Sequence, residues 1–295
     1  MNDLLPIVVS GVAQGVPIFV VASGLTLIYG VLHILNFAHG AFFLIGAYVL
    51  ATQLTSTSLG SFVITVLFAG LVVMLIGMAC EFFVFRRLYA AGSQVSFLGA
   101  FALFLALQGA AQLVWGDNPR TAQYPADLSG ATEILGAFVS VYDVAVMAVG
   151  AAVAVGLFLM LNKSSLGSRV RAVAQDRVMA TALGIRAPRV SLIVFAIGSF
   201  LAGAAGALTA PVTSVDMSLA ASYIVPAFVV VIVGGLGSIQ GALLAALLLG
   251  VMESVLFRYA TWMTGFSYYL LVAVILMFRP QGLFGSFSRT TQIAR

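Results

Sequence analysis

The feature that most constrains this chain is a succession of long apolar stretches separated by short polar or glycine-rich interruptions. An α-helix needs about 20 apolar residues to cross the hydrocarbon core of a bilayer. The sequence offers nine candidate spans, at 6–30, 34–53, 60–84, 94–115, 141–162, 190–211, 222–235, 239–257 and 265–279. Stretches of this length and composition, one after another, indicate an integral membrane protein.

Charged residues are too scarce for a water-soluble domain of ordinary size. Only 7% of the 295 residues are charged and 62% are hydrophobic, whereas about 25% of the residues in a typical soluble protein are charged. The candidate spans use most of the apolar residues and leave short loops. We therefore predict an all-α polytopic bundle that forms a single transmembrane domain over residues 1–295.

The number of crossings depends on the seventh candidate span. Residues 222–235 contain Pro226 and end at Gly234 and Gly235, which leaves too few residues for a straight helix to cross the bilayer comfortably. A half-helix or a re-entrant segment is the alternative. The prediction is therefore eight or nine transmembrane helices, with broken or re-entrant segments among them.

The distribution of Lys and Arg over alternate loops predicts the orientation. One side receives Arg86, Arg87, Lys163, Arg169, Arg171, Arg177, Arg186, Arg189, Arg279, Arg289 and Arg295. The other receives only Arg120 and Arg258, together with Asp3, Asp117, Asp127, Glu133, Asp143 and Asp216. Cytoplasmic loops carry the excess of Lys and Arg. Nine crossings therefore predict an outside N-terminus and a cytoplasmic C-terminus.

Two loops stand out by their length. The predicted external loop, about 116–140, begins with turn residues and continues as an amphipathic stretch. The predicted cytoplasmic loop, about 163–189, holds six of the 13 basic residues. Within it, residues 172–183 contain neither Gly nor Pro, and Gly184 follows as a helix stop.

The cytoplasmic loop is therefore predicted to contain a short helix from about Ala172 to Leu183. Its apolar positions, Val173, Ala174, Val178, Ala182 and Ile185, are predicted to form a stripe along this helix. Such a helix can bind anionic lipid headgroups or dock a soluble cytoplasmic partner. The spacing alone leaves both interpretations open.

Carboxylates inside the spans are expensive to bury and need partners. Glu81 precedes Arg86, and Glu253 precedes Arg258, each by five residues. A local ion pair is the simplest interpretation of both. Neither carboxylate lies at mid-span, where a proton-coupled transporter would need one.

Polar and glycine-rich breaks between spans are the candidate lining of a solute pathway. One break is predicted at 36–40 and another at 234–238. The N–H groups of broken helices attract a carboxylate. The candidate pathway residues are Asn36, His39, Gly40, Gly234, Gly235, Gly237 and Ser238. Close helix packing explains the glycines equally well.

Four motifs together resemble one family of membrane proteins. They are GLTLIYGVLHIL followed by NFAHGAFFLIGAY at 24–48, RAVAQDRVMATALGI at 171–185, GGLGSIQGALLAALLLG at 234–250, and FRPQGLFG at 278–285. In this order they resemble the LivH-type permease subunits of ABC importers for branched-chain amino acids. The resemblance covers essentially the whole chain.

The resemblance implies a permease subunit, in a bacterial plasma membrane, that forms the translocation pathway for branched-chain or related amino acids. The implied partners are two ATP-binding cassette subunits, a second related permease subunit in a heterodimer, an external solute-binding protein and membrane lipid. The loop at 163–189 would hold the coupling helix, with Arg171, Ala174, Asp176 and Gly184 in ATPase contact. Ala174-Gln175-Asp176 stands where classical importer permeases have Glu-Ala-Ala. Related importers carry urea, amides or aromatic acids.

The chain shows no sign of being an enzyme. It has no phosphate-binding glycine–lysine motif and no paired catalytic carboxylates. One cysteine and two histidines do not predict a metal site. We expect no cofactor, with ATP bound by partner subunits, and no nucleic-acid partner. A stand-alone secondary transporter and a channel are the competing interpretations.

Overall fold

The computed structural model describes residues 4–89, 92–134 and 137–285 as helices joined by short connections. The helices are α1 (Leu4–Leu32), α2 (Ala38–Gln53), α3 (Leu59–Cys80), α4 (Arg86–Leu88), α5 (Ser93–Trp115), α6 (Val141–Lys163), α7 (Ser165–Gln175), α8 (Arg177–Ala182), α9 (Ala187–Thr209), α10 (Leu219–Gly234), α11 (Ile239–Tyr259) and α12 (Phe266–Phe278). Each candidate span contains one of them. The predicted all-α polytopic membrane fold is confirmed.

The helices differ in their capacity to span a bilayer. Among the described residues, six segments are long and apolar enough to cross one: Pro6–Leu32, Leu59–Leu88, Gln94–Trp115, Val141–Lys163, Ala187–Thr209 and Ile239–Tyr259. Three apolar helices are shorter, namely α2 and α10 with 16 residues each and α12 with 13 residues. The seventh candidate span is thus a short helix, as its length and Pro226 indicated.

Helix α2 forms the centre of the bundle. Every residue from 38 to 50 is buried, and the helix packs against α3, α5, α9 and α10. A helix that is apolar all round and buried by its neighbours has no lipid-facing side. This position accounts for the short length of α2 and for the chain break before it, because irregular backbone at membrane depth is tolerated where protein surrounds it.

Glycines allow the central helices to approach closely. A Cβ atom on Gly46 of α2 would overlap the backbone of Gly203 of α9, and one on Gly250 of α11 would overlap the backbone of Gly11 and Gly15 of α1. Small residues at such crossings bring backbones into van der Waals contact, which drives helix association in lipid. Helix α9 is therefore a close-packing helix.

The loop at 116–140 contains a small hairpin that the sequence did not predict. Strands β1 (Ala131–Ile134) and β2 (Ala137–Ser140) pair antiparallel. Val139 is 6% exposed and Phe138 is 79% exposed, the alternation expected of a half-buried strand. The loop is anchored to other elements, because Arg120 bridges to Val215 and the Asp127 carboxylate accepts the Leu59 N–H at 3.1 Å.

The helix directions separate the two groups of loops. The connections at 33–37, 81–89, 163–189, 235–238 and 279–285 lie together at one end, called the basic end here. The connections at 54–58, 116–140, 210–218 and 260–265 lie at the other, called the acidic end. Arg177 against Tyr89 and Leu283 bonded to Val233 join parts of the basic end. These contacts agree with the predicted grouping of the loops, and the assignment of the two ends to the cytoplasm and the exterior stays a prediction.

Candidate functional site

The long basic loop folds into two helices instead of the predicted single one. Asp176 has an extended backbone conformation (φ −153°, ψ 105°) between α7 and α8. Its Oδ1 accepts the N–H groups of Val178 at 2.8 Å and Met179 at 2.9 Å. An aspartate that caps a helix start in this way satisfies its free donors. The prediction of a continuous helix over 172–183 is wrong, because Asp176 acts as an N-cap.

Helix α8 ends where the sequence predicted. Gly184 has a positive φ of 86°, its N–H bonds to the Thr181 carbonyl at 3.0 Å, and the Ile185 N–H bonds to the Ala180 carbonyl at 3.0 Å. These two bonds form the glycine-based helix stop known as a Schellman motif. The predicted stop at Gly184 is confirmed.

Helix α8 presents an apolar surface at the basic end. Val178 is 81%, Met179 57% and Leu183 76% exposed, and we call these three residues the α8 patch. Val173 of the predicted stripe is instead buried at 3%, because the break at Asp176 turns α8 relative to α7. Contiguous apolar groups on a surface outside the apolar helices indicate an interaction site.

A chain of contacts leads from α8 to the end of α3. The Arg177 guanidinium lies 5.4 Å from the centre of the Tyr89 ring. The Tyr89 hydroxyl donates to Glu81 Oε1 at 3.5 Å. Burial, with the Glu81 carboxylate as the second cause, raises the pKa of Tyr89 above its ordinary value, so the hydroxyl stays protonated and can donate. Tyr89 could not be singled out from the sequence, because its contact with Arg177 joins residues far apart along the chain.

Glu81 is the buried end of this chain of contacts. It is fully buried and forms the predicted ion pair with Arg86, at 3.2 Å. It opens a π-helical turn, Glu81–Phe85, that joins α3 to α4. Such turns inside helices are frequent at functional sites. The ion pair thus fixes the one irregular turn between α3 and the residues that contact α8.

Glu253 does not form the predicted ion pair with Arg258. Its carboxylate accepts the Gly265 N–H at 3.0 Å and the Ser267 hydroxyl at 2.7 Å. Gly265 has a positive φ of 84°, and the resulting turn directs its N–H toward Glu253 at the start of α12. A carboxylate is favourable at a helix N-terminus, so the turn supplies a partner that the local spacing could not predict.

The first predicted break lies earlier in the chain than 36–40. Residues 33–37 are non-helical, and the Asn36 Oδ1 accepts the Ala38 N–H at 3.1 Å, so α2 begins at Ala38. His39 and Gly40 therefore lie inside α2. Asn36 and His39 are fully buried. A Cβ atom on Gly40 would lie 2.7 Å from the Ala220 carbonyl oxygen, which makes Gly40 a contact between α2 and α10.

The late glycine motif, at 234–250, and the C-terminal motif, at 278–285, are bonded to each other around the end of α10. The Leu283 N–H bonds to the Val233 carbonyl at 2.7 Å, and the Phe284 N–H bonds to the Gly234 carbonyl at 3.0 Å. Gly234 and Gly235 are buried beneath this segment. The sequence presented the two motifs as separate, because their link consists of backbone hydrogen bonds between distant residues.

A cleft of about 530 Å³ at the basic end brings together residues from both predicted sets. Arg171 and Ala174, predicted for ATPase contact, line it from α7. Gly237 and Ser238, predicted for the pathway, line it from the start of α11. Helices α1 and α6 complete the walls. We call this space the basic-end cleft.

A second cavity, of about 570 Å³, lies at the acidic end. Its lining includes Asp143, Glu253, Tyr142, Tyr223 and Tyr268. The sequence did not group these residues, because they come from α6, α10, α11 and α12. Within the described ranges, no group of three His, Cys, Asp or Glu side chains is arranged to hold a metal ion.

The close contact between α10 and α11 provides a test of the packing. A Cβ atom on Gly241 would overlap the carbonyl group of Gly234. We expect Gly241→Ala to destabilise the protein by roughly 1–3 kcal/mol, the usual cost of overpacking, and to lower the unfolding temperature measured in detergent. Gly156→Ala is the matched control, since no atom lies within 4 Å of its added Cβ. Equal unfolding temperatures for the two variants would contradict the packing.

The buried central helix, the separated ends and the exposed loop helix define a polytopic α-helical membrane protein. Residues 7–278 match the model of the branched-chain amino acid transport system permease component family. The chain belongs to this family.

Several curated proteins are similar over nearly the whole chain. The high-affinity branched-chain amino acid transport system permease protein BraD of Pseudomonas aeruginosa is 30% identical, with 94% of each chain covered. The corresponding LivH of Escherichia coli K12 is 28% identical, again with 94% of each covered. The probable LivH of Methanocaldococcus jannaschii is 28% identical, covering 90% of this chain and 87% of that protein.

One solved structure was compared as well. PsaBC from Streptococcus pneumoniae in complex with Fab covers 94% of this chain and 88% of that chain, at 18% identity and a TM-score of 0.38. This score is too low to establish a shared fold.

Proposed function

We propose that this chain is the permease of an ATP-binding-cassette importer that takes up branched-chain or related amino acids across a bacterial plasma membrane. The α8 patch is the observation that carries the proposal. Three exposed apolar side chains on a short helix, at the end rich in Arg, fit a soluble partner that buries them. The partner would be an ATP-binding subunit, two of which serve a pair of permeases.

The orientation follows from the charges at the two ends. The basic end would face the cytoplasm, because positively charged loops are retained there. Helix α1 runs from the acidic end to the basic end, and α12 does so too. This gives an outside N-terminus and a cytoplasmic C-terminus, and it presents the α8 patch to cytoplasmic ATPases.

The remaining partners would bind at other surfaces. An external solute-binding protein would dock at the acidic end, where the 116–140 loop lies. A second, related permease and membrane lipid would cover the exposed apolar faces of α5 and α6. Leu98 and Leu113 of α5, at 66% and 90% exposed, and Val155 of α6, at 57%, illustrate how much apolar surface these faces leave to be covered.

The substrate class is supported by the names of the curated relatives, which are branched-chain amino acid permeases. Urea, short-chain amides and aromatic acids are the alternatives that the wider resemblance leaves open. A stand-alone secondary transporter is less well supported, because the described buried and half-buried carboxylates lie toward the two ends: Glu81 at the basic end, and Asp143, Asp216 and Glu253 at the acidic end. A proton-coupled site would require a titratable group on the pathway near mid-membrane.

Transport by membrane vesicles tests the proposal. The chain is expressed with its cognate ATPase, second permease and binding protein in cells that lack branched-chain amino acid import, and uptake of radiolabelled leucine is measured. We expect uptake that orthovanadate abolishes and that a protonophore leaves unchanged at constant ATP. The opposite pattern would favour the secondary transporter. Competition with valine, urea, acetamide and benzoate then identifies the substrate class.

A further inference from the structure

We propose that the basic-end cleft is a binding site for a phospholipid with an anionic headgroup. The cleft opens at the side of the bundle. Val155 and Phe158 of α6 line it and are also 57% and 46% exposed, so its mouth lies on the outer surface of an apolar helix. In a bilayer this mouth faces the acyl chains of the lipids.

The walls of the cleft suit an acyl chain. Phe19, Leu27 and Val31 of α1 and Leu243 of α11 line it opposite Phe158. An acyl chain lying between these side chains exchanges lipid contacts for equally apolar protein contacts. The volume of about 530 Å³ is large enough for a substantial part of one chain and a headgroup.

The polar end of the cleft favours negative charge. It is formed by Arg171 of α7, Asn162 of α6 and Gln240 of α11, all of which are exposed. Helix α11 has 21 residues and starts at this point. The Ser238 hydroxyl oxygen accepts the Gly241 N–H at 3.1 Å. The N–H groups of Ile239 and Gln240 have no hydrogen-bond partner among the described residues. Free N–H groups at a helix start bind phosphate oxygens.

A buried hydroxyl supplies an independent indication of a ligand. Thr26 lines the cleft and is only 1% exposed. Its Oγ1 has no hydrogen-bond partner within the described part of the chain. A buried hydroxyl normally finds a partner, since leaving it unpaired is costly. An ester or phosphate oxygen of a bound lipid can accept this hydrogen bond.

The charge pattern favours a lipid over a free amino acid. Arg171 is the one charged side chain among those that line the cleft, and no Asp or Glu lines it. The ammonium group of an amino acid would therefore have no carboxylate to pair with. A phosphatidylglycerol headgroup carries a net negative charge and no ammonium group, so it matches the cleft. Basic pockets between helices on the cytoplasmic side bind anionic headgroups, and here Arg171 supplies the positive charge.

The site also connects lipid to the loop at 163–189. Arg171 and Ala174 belong to α7, which leads directly to Asp176 and α8. A headgroup held by Arg171 would position the start of this segment. This consequence rests on the proposed function, whereas lipid binding itself requires no ATPase.

Native mass spectrometry of the delipidated, purified chain tests the inference. After equal amounts of phosphatidylglycerol and phosphatidylcholine are added, we expect the chain to retain phosphatidylglycerol in preference. We expect Arg171→Ala to retain phosphatidylglycerol about tenfold more weakly, as for the loss of one charge-assisted hydrogen bond. Arg169→Ala is the matched control, because Arg169 does not line this cleft and instead lines a different surface pocket. Glycerol 3-phosphate, which has the headgroup chemistry without acyl chains, should not displace the lipid.

A second variant keeps the test independent of the role of Arg171 in folding, since its guanidinium also bonds to the Leu161 carbonyl. Val155→Trp places a large side chain at the exposed mouth and leaves the polar end intact. We expect it to reduce phosphatidylglycerol retention as well. Equal retention of both lipids by the wild type, or wild-type retention in both Arg171→Ala and Val155→Trp, would overturn the proposal. That result would leave the proposed function standing, because the leucine uptake experiment tests it separately.

Discussion

Replacing Val178 and Leu183 together with aspartate is expected to abolish association with the ATP-binding subunits. The two side chains are 81% and 76% exposed, so the charges cost the isolated permease little. In the complex, the same charges would be buried without partners, which costs several kcal/mol. Copurification of the ATPase with the tagged permease measures the effect, and we expect a loss of at least about a hundredfold.

Ser168→Asp is the matched control for this prediction. Ser168 is exposed on α7, so the variant adds a negative charge to the same loop outside the α8 patch. It should retain the ATPase and the wild-type unfolding temperature. If the control lost the ATPase as completely as Val178→Asp/Leu183→Asp, the net charge of the loop, and not the α8 patch, would determine the interaction. Retention of the ATPase by the double variant would remove the main support for the importer.

Arg86→Ala is expected to have the largest effect on stability. Glu81 is fully buried, and Arg86 is its ion-pair partner at 3.2 Å. The substitution leaves this carboxylate with only the 3.5 Å bond from Tyr89. Breaking a fully buried pair from one side costs about 3–5 kcal/mol, and we expect the low end of this range because the Arg86 side chain is 35% exposed. The unfolding temperature in detergent should therefore fall clearly, and the yield of folded protein should fall with it.

The neighbouring residue supplies the control for Arg86. Arg87 is exposed and forms no ion pair within the described residues, so Arg87→Ala removes the same charge at little cost. Adding Glu81→Gln to Arg86→Ala should restore much of the lost stability, because a neutral amide needs no counter-charge. Equal unfolding temperatures for Arg86→Ala and Arg87→Ala would show that the ion pair contributes nothing. Failure of the double variant to recover would point to lost packing of Arg86 against Phe82.

Helix positions could be predicted because each depends on local composition. The nine apolar stretches each formed a helix, and Gly184 ended α8 through two bonds within one turn. The errors arose where a carboxylate bonded to donors that the spacing of charged residues did not indicate. Glu253 bonded to Gly265 and Ser267 instead of Arg258, since the turn before α12 brought two donors to it. Asp176 used its carboxylate as a cap, and so it divided a stretch of good helix formers into two helices.

The candidate site likewise combines residues that the sequence could indicate with an arrangement that it could not. The sequence singled out Arg171, Ala174, Gly237 and Ser238, but in two separate groups. The structure placed them around one cleft, because α7 folds back against α1 while α11 starts beside it. Neither Thr26 nor the open mouth at Val155 had any signal in the sequence, since both follow from which helices are neighbours.

The sequence alone determined that the chain is a helical membrane protein, which end is basic, and to which family it belongs. These properties depend on hydropathy, on charge counts and on motifs that can be read along the chain. Only the tertiary structure decided that α2 is central, that the late glycine and C-terminal motifs bond to each other, and that the α8 patch is exposed. Those properties depend on close contacts between distant segments, and glycine positions allow such contacts without specifying the partner.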